Sequence, residues 1–357
     1  MSKSINQAEI AVASGFSRQT VSFALNEHLC FRLNPLTRQH VLDTAQRLGY
    51  VPHRAARRLA RERAESQSRS FDQVGLISIL PRNVEMDWVC HAMMGGAENE
   101  LSRLHASIFF VRISEDADWE KVERMTRAGG VDGWLVYGPV NDEVMNRLDS
   151  SKLPSVILGD HRCMQPVHSV NVDNEGVGSL AVDHLAGLGH RRIGFFSGRM
   201  NFLYQEQILV GFRAAVKESG LDIDDRLIVR DASLGNKDGE DRLRQWVCAD
   251  PAPTALFVPE VDMAVALMGV LKDLRIEVPK TLSVLTTDPV SVIARNQGYS
   301  RIEFPMIEVG RRGSLVLHDL VSKRREEFGE MKISSSLAQG WSTSPPSSPR
   351  VREGGSA

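Results

Sequence analysis

The chain predicts an α/β protein, with a small all-helical module at its amino-terminal end followed by a doubly wound body of two lobes. Three observations predict it. Residues 1–50 carry helix-start and helix-stop signals separated by glycine and proline, with no run that reads as a strand. Residues 73–343 alternate short apolar runs with amphipathic stretches, the pattern of a parallel sheet covered on both faces. That alternation comes in two sets, one for each lobe. A length of 357 residues fits a chain of two or three such domains.

Composition narrows the class. With 42% apolar and 25% charged residues, a mainly disordered or fibrous chain is excluded. Cys30, Cys90, Cys163 and Cys248 form no C-x-x-C pair, so neither a zinc knuckle nor a disulfide scaffold is expected. A reducing, cytoplasmic setting fits best. No signal sequence or apolar run of about 20 residues is present, so neither secretion nor a membrane partner is expected. The net charge of -2 hides a split, because residues 1–65 sum to +5 and the remainder to -7. A basic module on an acidic body suggests nucleic acid as a partner, the plain alternative being an ordinary solvated surface.

The elements of the module follow in order. Asn6 with Glu9 forms a capping-box pattern, and Ser4 with Gln7 is an equal candidate. Ile10, Ala11 and Ala13 supply a small apolar face before Gly15, which takes a left-handed turn without steric cost. Ser17 caps a second helix over residues 18–25, where Val21 and Leu25 pack inward and Arg18, Gln19 and Ser22 lie outward. Asn34 and Pro35 open a third helix carrying Val41, Leu42, Ala45 and Leu48, with Gly49 at its stop.

Two short helices across a glycine turn, with fork-forming side chains at the start of the second, match a helix-turn-helix. In that geometry Arg18 would bond guanine O6/N7 and Gln19 adenine N6/N7, each worth about 1–3 kcal/mol of discrimination. The alternative is a three-helix subdomain with a polar outer face. Residues 52–62 then combine small alanines with Arg54, Arg57 and Arg58 and one leucine, Leu59. Such a helix is marginal alone, and phosphates would remove its self-repulsion and order it. Leu59 would serve as a minor-groove wedge or, alternatively, cap the third helix.

In the body, strands are expected over 74–80, 106–111, 133–137 and 155–158, with helices over 87–103, 118–128 and 142–148. Residues 170–172 lead into a second set, with strands over 193–196, 227–229, 255–258 and 282–285. Its helices are expected over 175–188, 204–219, 238–249 and 262–274. Ligands bind such sheets at the carboxyl ends of strands, so a cleft between the lobes is the expected site. No phosphate loop, dinucleotide fingerprint or nucleophile elbow occurs, and His184 and His190 lack metal-ligand spacing. No enzyme, cofactor or metal is expected.

These residues together resemble the LacI/GalR family of bacterial transcription regulators. The module matches in Glu9-Ile10-Ala11, Gly15-Phe16-Ser17, Thr20-Val21-Ser22, Leu25-Asn26, Thr37-Arg38, Val41, Leu48-Gly49-Tyr50, Pro52, Ala56 and Leu59. The body matches in residues 170–174, Asp183-His184-Leu185, residues 188–193, Gly211-Phe212-Arg213, Ser283-Val284 with Asp288, Glu308, Gly310-Arg311-Arg312 and Ser342-Thr343. The resemblance implies base reading by Arg18 and Gln19, backbone contacts around Ser17, Thr20, Ser22, Asn26, Arg54, Arg57 and Arg58, and minor-groove insertion by Leu59. It also implies a periplasmic-binding-protein-like two-lobed domain holding a small effector, usually a sugar or nucleobase.

Departures from the family pattern concern both sites. Phe23 stands where many members carry a base-contacting arginine, so a thymine-methyl contact would replace a guanine contact. Ile208 stands where the ligand-binding arginine is common, and Glu260 where asparagine or aspartate is usual. Asp288 is the foremost pocket candidate, with Asp160, Glu260, Tyr204 and Arg199 beside it; Trp88 either stacks on a sugar ring or belongs to the core.

The expected organisation is a headpiece (1–51), a hinge helix (52–62), a linker (63–72), an effector and dimerisation domain (73–343) and a disordered Ser/Pro/Gly tail (344–357). Its expected activity is that of a homodimeric repressor on a palindromic double-stranded operator, set by a carbohydrate-like effector. The rival reading is a sugar-binding receptor without DNA function, which would need a signal peptide and no basic headpiece.

Overall fold

A computed structural model describes residues 6–25, 33–48, 50, 71–80, 88–150, 152–198, 202–221, 224–232, 237–247, 252–288, 296–324 and 329–347. The chain forms two units, Met1–Ser68 and Arg69–Ala357. Asn26, Cys30, Gly49, residues 52–62 with Arg54, Arg57, Arg58 and Leu59, Arg199, Cys248 and residues 348–357 lie outside the described residues.

In the first unit, α1 (Gln7–Ser14), α2 (Arg18–Ala24) and α3 (Pro35–Arg47) begin on the expected caps. Asn6 Oδ1 accepts from the N–H of Ala8 at 2.9 Å and of Glu9 at 3.1 Å, and Glu9 Oε2 accepts from Asn6 N–H at 2.8 Å. Gly15 takes φ 74°, where its N–H reaches the Ala11 carbonyl. Ser17 Oγ accepts from Thr20 N–H at 3.1 Å, and Asn34 Oδ1 from Leu36 N–H at 2.9 Å. Ile10, Val21, Val41, Ala24 and Ala45 close a small core between the three helices. Ala13 lies outside that core and Ser14 is buried, because the row through Ile10 and Ala11 continues three to four residues on.

The second unit opens with lobe 1. It runs β1 (Gln73–Ile79), α4 (Trp88–Arg103), β2 (Ser107–Ile113), α5 (Trp119–Arg127), β3 (Gly133–Tyr137), β4 (Val140–Asn141), α6 (Asp142–Asp149), β5 (Ser155–Leu158), β6 (His161–Arg162) and β7 (His168–Val172). The chain then crosses to lobe 2, with α7 (Asn174–Gly187), β8 (Ile193–Phe196), α8 (Leu203–Glu218), β9 (Ile228–Val229), α9 (Lys237–Val247), β10 (Ala255–Val258), α10 (Val261–Asp273), β11 (Ser283–Asp288) and β12 (Arg301–Glu303). It returns with α11 (Met306–Val321) and β13 (Gly329–Ile333) to lobe 1 and ends with β14 (Ser336–Ala338) in lobe 2.

Each lobe holds a six-stranded sheet, ordered β13-β7-β5-β3-β1-β2 in lobe 1 and β14-β12-β11-β10-β8-β9 in lobe 2. Every pairing in lobe 1 is parallel, and β14 alone of the described strands runs antiparallel, against β12. The strands β3, β5, β8 and β10 are buried along almost their whole length, as continuous apolar runs in a covered parallel sheet require.

Two helix seams hold the helical layers close. In lobe 1, Gly96 of α4 lies against the Ile307 carbonyl and Gly310 of α11 against the Met93 carbonyl. In lobe 2, Gly178 of α7 lies against the Ile208 carbonyl and Gly211 of α8 against the Glu175 carbonyl. A Cβ at any of these four positions would collide with backbone, so glycine permits the approach.

The structure corrects the expected boundaries at two places. Phe71 and Asp72, expected in the linker, belong to the body: Phe71 is buried against the His318 ring, 4.9 Å between centroids, and the Asp72 N–H donates to Asp132 Oδ2 at 2.8 Å. Residues 344–347, expected in the tail, are tied to lobe 2. The Ser344 carbonyl accepts from Ser283 Oγ at 3.0 Å, and Ser347 Oγ donates to the Lys280 carbonyl. Among the described residues, no helix is long and apolar enough to cross a membrane.

Candidate functional site

The first candidate site is the outer face of α2. Arg18 and Gln19, its first two residues, are exposed, while Val21 and Ala24 are buried on the opposite side. Ser17 holds the helix start in place, and its Oγ also lies 2.9 Å from Thr20 Oγ1, so these two hydroxyls fix each other's direction. Ser22 and Phe23 are half-buried. The result is a capped first turn that presents one guanidinium and one carboxamide at the positive end of the helix.

The second lies on the seam between the lobes, where strands of both sheets end. The register that sets Val258 beside Thr286 brings Glu260, after β10, level with Asp288 at the end of β11. Glu260 Oε1 accepts from Ser197 Oγ at 2.7 Å and from Gln205 Nε2, while its Oε2 is buried without a hydrogen bond. Asp160, after β5 of lobe 1, accepts from Asn171 Nδ2 at 2.7 Å and Asn174 Nδ2 at 3.1 Å. Burial pushes both carboxyls above the usual carboxylate range, against the pull of those hydrogen bonds. Tyr204, at the start of α8, feels burial first, then the charges of Glu260 and Asp160, and its phenol is pushed up accordingly.

The structure therefore brings Asp160, Tyr204 and Glu260 together. Asp288 is fully buried one strand away, with Arg301 Nε 3.9 Å from its Oδ2. Trp88, the first residue of α4, is 65% exposed, which removes the core alternative; its ring lies 6.1 Å from that of His91. Ile208 points into the core of lobe 2 and is wholly buried. The polar group that α8 turns toward Asn174 is Gln207.

Sequence reasoning missed the amides Asn171, Asn174, Gln205 and Gln207 and the hydroxyl of Ser197, which orient the acids. The available signal was polar residues embedded in apolar runs, as in Val170-Asn171-Val172 and Phe195-Phe196-Ser197. His184 and His190 hold the end of the body instead: His184 Nε2 lies 3.1 Å from Thr343 Oγ1, and His190 bonds Thr254 Oγ1 at 3.0 Å and the Ser344 carbonyl at 2.9 Å.

Residues 182–343 match the family model described as a periplasmic binding protein-like domain. Catabolite control protein A of Priestia megaterium is 26% identical over 321 residues, covering 88% of this chain and 92% of that protein. The transcriptional repressor PurR of Mannheimia succiniciproducens is 27% identical, covering 79% and 81%. Along most of its length the chain is similar to regulators of the LacI/GalR family.

Solved structures of that family share the fold. The lac repressor dimer bound to operator and the anti-inducer ONPF aligns with TM-score 0.71 at 20% identity, over 96% of this chain and 100% of that one. The regulator CelR in complex with cellobiose aligns with TM-score 0.63 at 22% identity, over 95% and 99%. Ile208 sits in the packed α7–α8 seam, which a guanidinium at that position would have to leave to reach a ligand.

Proposed function

We propose that this chain is a sequence-specific DNA-binding regulator of transcription, of the repressor type, whose grip on its operator is set by a small effector. The observation that carries it is the first turn of α2, capped by Ser17 and carrying Arg18 and Gln19 outward on a packed three-helix unit. An N-terminal turn of this kind enters the major groove and reads base edges, while Ser17, Thr20, Ser22 and Asn26 lie along the backbone. Phe23 is apolar and fits a thymine methyl. Arg54, Arg57 and Arg58 would bind phosphates and Leu59 would enter the minor groove. Two copies on a palindrome, as a cytoplasmic homodimer, complete the reading.

The two-lobed body would hold the effector through Glu260, Asp288, Tyr204 and Trp88, with Asp160 at the seam. A site lined by acids, with no arginine at 208, favours hydroxyl-rich neutral ligands such as carbohydrates over sugar acids or phosphates. The reading as a sugar receptor without DNA function is disfavoured by the helical unit itself, which such a receptor does not need.

Selection of bound sequences from random duplex DNA tests the proposal. A palindrome is the expected product. Arg18→Ala should then relax preference at one base per half-site, and Arg57→Ala should weaken binding to all duplexes and flatten its salt dependence. Equal binding of operator and random duplex by parent and both variants would rule the assignment out. For the effector, a thermal-shift panel of neutral sugars, sugar acids and sugar phosphates should favour the first, and Glu260→Gln should narrow the difference.

A further inference from the structure

We infer that the side chains of Asn171, Asp160, Asn174 and Gln207 form a latch across the seam between the lobes, and that an effector acts by loosening this latch. Asp160 follows β5 and Asn171 lies in β7, both in lobe 1. Asn174 begins α7, and Gln207 lies in the second turn of α8, both in lobe 2. Asn171 Nδ2 donates to Asp160 Oδ1 at 2.7 Å; Asn174 Nδ2 donates to the same oxygen at 3.1 Å and to Gln207 Oε1 at 2.8 Å. The chain of bonds is continuous from one sheet to the helix that carries Tyr204 and Gln205.

On its donor side the set is closed at Asn174. An amide nitrogen has two hydrogens, and Asn174, itself buried, uses both. A ligand acceptor could therefore take a hydrogen from Asn174 only by replacing one of these bonds, and so would change how firmly the lobes are joined. The start of α8 depends on this more than most helix starts. Its N-cap is Phe202, which has no side-chain acceptor for the first-turn N–H groups, and the Tyr204 N–H instead supports the charge of Asp160. A second tie between the lobes, Arg162 to Glu206 at 3.6 Å, is exposed on both sides and contributes little.

The inference rests on the seam being the effector site, but its test needs neither effector nor DNA. Hydrogen exchange of the full chain is measured over residues 203–207, with β8 as the internal reference. In Asn174→Ala the first turn of α8 should exchange at least tenfold faster while β8 stays protected. Gln207→Ala, which leaves the buried acid and amide in place, should give at least threefold. Unchanged exchange at 203–207 with β8 protected overturns the latch; if Asn174→Ala loses protection in β8 as well, the fold has failed and Gln207→Ala decides alone. Operator affinity of Gln207→Ala should also shift at least threefold from the parent on the selected palindrome, and an unchanged value overturns the regulatory half. A parent that binds no duplex overturns the proposed function and that half with it, while the exchange result still decides the latch.

Discussion

Gly211 of α8 leaves no room for a Cβ against the carbonyl oxygen of Glu175 in α7. The seam that results also holds Ile208 in the core. Gly211→Ala should lower stability by about 1–3 kcal/mol or more, because backbone rather than a flexible side chain must move. Gly269, in the interior of α10 with open space around it, is the matched control: Gly269→Ala should raise stability by up to about 1 kcal/mol. Urea unfolding of both variants checks the pair, and equal effects would mean the seam is not tight.

Ser17 holds the start of α2 through one atom, since its Oγ accepts from Thr20 N–H and contacts Thr20 Oγ1. Ser17→Ala should cost the helical unit about 1 kcal/mol. Amide exchange at Thr20 is the direct readout, and it should accelerate with the body unchanged.

Burial holds the His190 imidazole below its ordinary value of 6.5. A folded state that refuses a proton which the unfolded chain accepts is fully stabilised above that value and loses stability as pH falls through it toward the lower folded value. Unfolding midpoints measured from pH 7.5 to 5 should therefore fall, and His190→Gln should flatten part of the slope. His184, also held low by burial and by the neighbouring His190, accounts for a further part. A slope identical in parent and variant would mean His190 titrates alike folded and unfolded.

The bidentate bond from Arg311, seconded by Arg312, holds the Glu308 carboxyl down to about 2, from an ordinary 4.5. A depressed carboxyl stabilises the fold above the ordinary value, and that contribution is lost as pH falls from there toward the folded value. Glu308→Gln should remove this part of the acid limb. Because the pair is a third exposed, high salt should shrink the difference between parent and variant.

Much of the fold was legible because most strands are continuous apolar runs. The expected strands 133–137, 155–158, 193–196 and 255–258 coincide with β3, β5, β8 and β10. What escaped were β4, β6, β12, β13, β14 and α11. The strands are short segments that carry polar residues, β13 and β14 at sheet edges, and α11 starts at Pro305 without a side-chain cap and shows Glu308, Arg311 and Arg312 to solvent. The return of β13 and β14 to opposite lobes has no local signal at all. At the seam, Asp160 and Glu260 were legible as acids just past buried strands. The amides that orient them left a weaker mark, a polar residue inside an apolar run at Asn171 and none of that kind at Gln205 and Gln207, which lie in a helix.

The last crossings of the chain set an order of assembly. β13 finishes the sheet of lobe 1 at its β7 edge, β14 finishes that of lobe 2 at its β12 edge, and α11 covers the apolar face of α4. Neither lobe is complete until residues 329–338 have left the ribosome. The growing chain must keep one open sheet edge in each lobe and one bare helix face from sticking elsewhere, and both lobes then close almost together once those residues emerge.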